Sequence, residues 1–361
     1  MTATASTEHQ AVVTDGHGGI RLETVSLRRP GPGEVQLELV ASGVCHTDLD
    51  SLGWGRELVV GHEGAGIVRQ VGEGVDLEVG TRAVLNWAMP CGRCFQCSEG
   101  RLSICEKRDH GDHLSTTTRL RDRYVPRSFS LGTMSTGTVV PASAVVPIEV
   151  EIPFTSACIV GCGVMTGYGS VVNAARVKPG SSVVVLGCGG VGLNVVQAGV
   201  LAGASSVIAV DRSLSRLRMA STFGATTCIH VGDGTIDDAV LQVRTLCGGR
   251  GADYAFECTG VPQLAMAPLA FVRDAGTAVQ VSGNETTAMV DLRLFEWDKT
   301  YINPLYGQCR PSIDIPKILH LYATGRLRLD ELAVERFPLR DAAVAIAAVR
   351  AGEVTKAVLE L

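Results

Sequence analysis

The sequence predicts an α/β protein in which a doubly wound parallel sheet is joined to a mainly-β module. Three observations carry this prediction. Residues 181–211 read strand, glycine turn, helix, strand, acid; strands and helices alternate from there to about residue 303; and residues 11–90 alternate short β-like runs with glycine and proline and contain no long amphipathic helix.

A chain of 361 residues exceeds one ordinary core and fits two domains. With 46% hydrophobic and 19% charged residues it has ample material for buried sheets. A net charge of −5 gives no reason to expect nucleic acid or an anionic membrane as partner. No run of eighteen apolar residues predicts a membrane span. The opening MTATASTEHQ lacks the basic and then apolar pattern of a signal peptide, so a cytoplasmic location is expected.

In the first module, Glu34 to Val40, Ala65 to Val71 and Thr81 to Leu85 read as strands, with turn signals at GPGE, GEG and EVG. Two polar clusters interrupt them, Cys45-His46-Thr47-Asp48-Leu49-Asp50 and Gly61-His62-Glu63. Either alone reads as a loop histidine and a buried thiol.

Of the twelve cysteines, Cys91, Cys94, Cys97 and Cys105 fall at C-x2-C-x2-C-x7-C spacing, whereas Cys158, Cys188, Cys228, Cys247, Cys258 and Cys309 are scattered among apolar residues and read as packing. Four thiolates so close can close a tetrahedron around Zn2+ with no open position, the mark of a structural site. Polar and charged turns favour zinc, although spacing alone also admits an iron–sulfur cluster.

The stretch ACIVGCGVMTGYGSVV, 157–172, leads into a helix and sets Cys162 between two glycines. Gly187, Gly189 and Gly192 then follow the strand Val183 to Val185 at G-x-G-x-x-G spacing, enclosing Gly190 and Val191. Gly187 permits the tight turn, Gly189 lets backbone N–H groups approach a pyrophosphate, and Gly192 lets the helix pack closely on the strand. Asp211 lies 19 residues after Gly192, where the dinucleotide fingerprint expects an acid on the ribose hydroxyls of NAD. Arg212 beside it weakens the discrimination against NADP.

Further βα units are predicted: the strand Thr227 to His230, the helix Ile236 to Leu246, the strand Ala252 to Glu257, the helix Pro262 to Phe271 and the strand Thr277 to Val281. After about residue 303 come two helices, Ile313 to Thr324 and Leu339 to Ala351, the second ending at Gly352, and a final strand, Ala357 to Leu361.

With Cys45, GHEGAG at 61–66, the four-cysteine lobe, GCGVMTGYGS at 161–170, GCGGVG at 187–192 and Asp211 in this order, the chain resembles the zinc-dependent medium-chain alcohol dehydrogenases over nearly its whole length. The resemblance implies a Rossmann doubly wound sheet, residues 163–303, inserted in a mainly-β GroES-like catalytic domain, residues 1–162 and 304–361, with the active site between the two. It implies NAD and two Zn2+ per chain. Cys45, His62 and Cys162 would hold the catalytic zinc and leave a fourth position open, while Cys91, Cys94, Cys97 and Cys105 would hold the structural zinc. An open zinc is a Lewis acid and lowers the pKa of a bound hydroxyl.

Asp48 would orient His62 from behind, and Glu63 would sit behind the metal and assist ligand exchange. Thr47 matches the hydroxyl that passes the substrate's proton towards the cofactor ribose. The usual next station is a histidine, and this chain has Asp50 there. His46 and Lys356 match contacts to the pyrophosphate, and Arg216 matches a basic residue near the adenosine ribose. Trp87 falls at an aromatic wall of the substrate pocket, which favours an apolar or aromatic alcohol over a polyol. Between Asp50 and His62 lie only eleven residues, SLGWGRELVVG, a shortened approach that predicts an unusual or enlarged pocket entrance.

The expected reaction is reversible, NAD-linked oxidation of a primary, apolar or aromatic alcohol to its aldehyde by a homodimer or homotetramer. Two alternatives stay open: a thiol-dependent formaldehyde dehydrogenase, and a nucleotide-binding redox sensor without turnover.

Overall fold

A computed structural model describes residues 6–107, 116–283, 287 and 289–361. The chain forms two units, Met1–Cys162 with Arg310–Leu361, and Gly163–Cys309.

In the second unit the β-branched runs become the centre of a six-stranded sheet. Its order is Thr227–His230, Ser206–Asp211, Ser182–Leu186, Ala252–Glu257, Val272–Gln280, Thr300–Ile302, and every pairing is parallel. Val183, Val184, Val185, Ile208, Ala209 and Val210 are all buried, as a sheet covered on both faces requires. Numbered within the unit, the strand order is 3-2-1-4-5-6, so the order reverses between Ser182–Leu186 and Ala252–Glu257, where such sheets bind ligands at the carboxyl ends of their strands.

The glycine turn lies at that edge. Gly187 has φ +92°, and a Cβ on Gly192 would stand 1.8 Å from the carbonyl oxygen of Gly187, so neither position accepts a side chain without displacing backbone. The helix Gly190–Leu201 follows.

The predicted helix from Pro262 to Phe271 is broken into a 3-10 turn, Pro262–Leu264, and a short helix, Pro268–Phe271. Pro268 has no N–H to carry a helix through. Residues 304–309 belong with this unit: a Cβ on Gly307 would meet Ser170 N at 2.7 Å, so the two backbones are in contact.

Among the described residues the first unit contains two sheets. Thr7–Thr14, Ile20–Leu27, Leu58–Val59, Thr118–Leu120 and Arg123–Tyr124 form one. The other is built on Glu34–Val44, which pairs antiparallel with Glu63–Val71, Gly137–Pro141 and the C-terminal strand Ala357–Glu360. The helix Ala342–Ala351 packs Ala345, Ile346 and Val349 onto Val44, Leu52, Leu58 and Leu359, and ends on Gly352 in the left-handed conformation, φ 71°. Among the described residues no single helix is long and apolar enough to cross a membrane.

Candidate active site

Strand register assembles the polar clusters. Gly43 stands opposite Glu63 in one pairing and opposite Val358 in the other. Cys45, just past the end of its strand, therefore comes beside His62, just before the start of its own. Lys356, preceding the C-terminal strand, arrives at the same end of the sheet. Cys162 follows the 3-10 turn Cys158–Gly161, which presses so close to the strand Arg82–Leu85 that a Cβ on Gly161 would lie 2.0 Å from the Leu85 carbonyl oxygen.

The metal-binding atoms of Cys45, His62, Glu63 and Cys162 all lie within 4.8 Å of one another. Asp48 fixes two of these groups. Cys45 is the N-cap of the helix His46–Ser51, and Asp48 Oδ2 accepts its backbone N–H at 2.8 Å. The other oxygen, Oδ1, lies 2.8 Å from His62 Nδ1, with both side chains buried. Nδ1 then carries the proton, and Nε2 is left as a neutral donor for a metal. A hydrogen bond from Cys162 holds the Cys45 thiol well below its ordinary pKa against the opposing effect of burial, and His62 and Lys356 add to it. These two sulfurs and one imidazole are a donor set suited to zinc.

Glu63 makes a close buried ion pair, Lys356 Nζ to Oε2 at 2.5 Å, while its Oε1 is buried without a hydrogen bond. Burial raises the Glu63 carboxyl to about 7, against the pull of Lys356. The partner in place on Lys356, matched in sequence to a pyrophosphate contact, is thus a carboxylate beside the metal ligands. Thr47 Oγ1 lies 3.8 Å from Cys45 Sγ. His46 and Asp50, on the same short helix, are exposed.

Sequence reasoning missed one group. Phe129 has φ 51°, and its ring centroid lies 4.9 Å from that of His62, 5.4 Å from Trp87 and 5.8 Å from Trp54. Trp54 comes from the shortened 51–61 stretch. The only available signal was the presence of two tryptophans near the clusters; nothing in RSFSLGT marks Phe129.

In the four-cysteine lobe the sulfurs lie within 4.8 Å of one another, as a tetrahedron of ~2.3 Å Zn–S bonds requires. Backbone N–H groups of Cys91, Cys97 and Lys107 point at the sulfurs of Cys105, Cys94 and Cys105 respectively. The Cys97 N–H above all lowers the Cys94 thiol to about 6, which favours the thiolate that a metal binds.

At the glycine turn, Asp211 Oδ2 accepts the Cys188 N–H at 2.7 Å and Oδ1 the Ser213 N–H at 2.8 Å. Each oxygen keeps a lone pair for a ribose hydroxyl. The helix Gly190–Leu201 has no side-chain cap, and a Cβ on Gly189 would meet nothing within 4 Å. An uncapped N-terminus behind open space fits a pyrophosphate. Arg212 is exposed and Arg216 half-buried, on and beside the next helix, Leu214–Thr222.

Residues 31–150 match the alcohol dehydrogenase GroES-like domain and residues 190–323 the zinc-binding dehydrogenase family. Alcohol dehydrogenase 6 of Peromyscus maniculatus is 32% identical over 354 residues, 94% of each chain. The chain belongs to the zinc-dependent medium-chain alcohol dehydrogenases. The S-(hydroxymethyl)glutathione dehydrogenase of Paracoccus denitrificans is 30% identical, over 97% of this alcohol dehydrogenase and 98% of its own length. The benzyl alcohol dehydrogenase of Acinetobacter calcoaceticus superposes with a TM-score of 0.91 at 29% identity, covering 98% of this chain and 99% of that one. The protein is an NAD-dependent zinc alcohol dehydrogenase, with a donor set for each of two zinc ions.

Proposed function

We propose that this dehydrogenase converts a primary aromatic alcohol to its aldehyde with reduction of NAD. The observation that carries the reading is the ring of Phe129 set between His62, Trp87 and Trp54. Offset and edge-on ring contacts are worth about 0.5–1.5 kcal/mol each beyond area burial, so an aromatic carbinol gains what a short aliphatic one lacks.

Cys45, His62 and Cys162 would hold the catalytic zinc, which when bound would supply a Lewis acid that makes the substrate hydroxyl more acidic. Asp48 keeps His62 in the tautomer and orientation that ligation needs. Thr47 Oγ1 accepts the hydroxyl proton, and Asp50 receives it in place of a histidine. Glu63, held by Lys356, borders the ligands and assists their exchange. Cys91, Cys94, Cys97 and Cys105 would hold the structural zinc.

Gly187, Gly189, Gly190, Val191 and Gly192 seat the dinucleotide, Asp211 selects NAD, and His46, Arg212 and Arg216 lend positive charge to its phosphates and ribose. The catalytic domain comprises residues 1–162 and 310–361 and the cofactor domain residues 163–309; the enzyme is a cytoplasmic homodimer or homotetramer.

The test compares kcat/KM for benzyl alcohol, ethanol and S-(hydroxymethyl)glutathione with NAD. A preference for benzyl alcohol of at least tenfold is expected, about 1.4 kcal/mol of differential binding. Turnover of formaldehyde only in the presence of glutathione would replace the aromatic substrate by the thiol adduct.

A further inference from the structure

The glycine turn is not held by its own strand and helix alone. Next to Ser182–Leu186 in the sheet, across the point where strand order reverses, runs Ala252–Glu257. Its last residue, Glu257, is fully buried. Oε1 accepts three hydrogen bonds, from Thr259 N at 2.5 Å, Thr259 Oγ1 at 2.5 Å and Gly260 N at 3.1 Å, and Oε2 accepts the hydroxyl of Ser282. All four donors are neutral. The carboxylate therefore closes the turn after its own strand onto itself and ties it to the residue two positions past the next strand, Val272–Gln280.

That turn lies against the fingerprint. A Cβ on Gly187 would come within 2.8 Å of Thr259 Cγ2 and 3.0 Å of Thr259 N, and one on Gly192 would be 3.4 Å from Cys258 Cβ. Cys258 N also donates to Leu186 O at 2.8 Å. The path is continuous: Glu257 orders the 258–260 turn, and the 258–260 turn backs Gly187 and Gly192.

We propose that Glu257 is the positioning residue for the dinucleotide seat. It acts through geometry and not through charge, a role that rests on the reading of the Gly187–Gly192 turn as the NAD site. A negative charge near phosphates is unfavourable in itself, so only its hydrogen bonds recommend a glutamate here. A glutamine can reproduce them: Oε1 keeps its three donors, and Nε2 donates to Ser282 Oγ, which can accept. An alanine leaves those buried donors without partners.

The experiment is NADH binding by fluorescence titration of the zinc-loaded enzyme, together with steady-state KM for NAD and kcat at saturating alcohol. The parent protein is measured first; if it does not bind NADH, the reading of the glycine turn fails. Given that binding, Glu257→Ala should weaken NADH about tenfold or more and raise KM for NAD while kcat changes less, and Glu257→Gln should restore affinity to within about threefold. Thr259→Val, which removes one donor and keeps the side-chain shape, should weaken NADH in the same direction and covers the case in which the alanine variant does not fold. Unchanged affinity in a folded Glu257→Ala or Thr259→Val variant overturns the proposal. So does a glutamine variant as weak as the alanine one, which would assign the role to charge.

Discussion

Asp48 and His62 are joined by a 2.8 Å contact between Oδ1 and Nδ1, and both are buried. The same carboxylate holds the backbone N–H of Cys45, so one side chain orients two metal ligands. Asp48→Ala should lower affinity for the catalytic zinc by about 10–100-fold. Zinc content after graded chelation reports this, and retention of both ions at parental chelator concentrations would refute it.

Cys162 is the ligand delivered at the junction with the second unit. Cys162→Ser is expected to abolish turnover while the four-cysteine lobe keeps its metal, so elemental analysis should fall from two zincs per chain to one. Persisting activity would remove Cys162 from the ligand set.

The buried pair of Lys356 and Glu63 makes an asymmetric prediction. Lys356→Met leaves the Glu63 carboxylate uncompensated and should destabilise the protein by about 3–5 kcal/mol, seen as a lowered Tm. Adding Glu63→Met should recover much of that loss, because a well-packed apolar pair replaces a desolvated ionic one. A single variant as stable as the parent would show that Glu63 finds another partner.

Asp211→Gly is expected to raise kcat/KM for NADP relative to NAD. Asp211 also receives the N–H groups of Cys188 and Ser213, so affinity for both cofactors should fall together with the discrimination. Unchanged discrimination would assign cofactor choice to Arg212 or another residue.

Burial raises the phenols of Tyr301 and Tyr322 to about 12. The Tyr301 hydroxyl donates to Gln280 Oε1 at 2.6 Å. Below pH ~10 both phenols are neutral in folded and unfolded chains alike, and their contribution to stability is fully present. Between pH ~10 and about 12 the unfolded chain ionises first and that contribution is lost. Ultraviolet titration should show a late-ionising phenol component that shrinks in Tyr301→Phe and in Tyr322→Phe. A normal titration of all six tyrosines would contradict the burial argument.

The four-cysteine lobe was legible because its thiols fall at C-x2-C-x2-C-x7-C, and the glycine turn because it stands between two strands ahead of Asp211; Cys45, His62 and Cys162, far apart in sequence, were joined only by the family resemblance. Strand alternation made the sheets legible too. The helix from Pro262 to Phe271 failed at Pro268, where a missing N–H was visible in the sequence but outweighed by apolar spacing. Phe129 was hidden because a non-glycine residue at φ 51° leaves no periodic signal and its partners come from two other loops. The Lys356–Glu63 pair was hidden because it depends on a register shared by three strands.

That register also orders assembly during synthesis. Cys45, His62, Glu63 and Cys162 leave the ribosome well before Lys356, and the whole of Gly163–Cys309 is made in between. The inserted unit can fold on contacts of its own while the first unit still lacks the strand Ala357–Glu360 and the cation that neutralises Glu63. A nascent chain at that stage carries metal-binding thiols beside an unpaired sheet edge, so closure of the first unit is a late, long-range event that depends on the residues translated after the insertion.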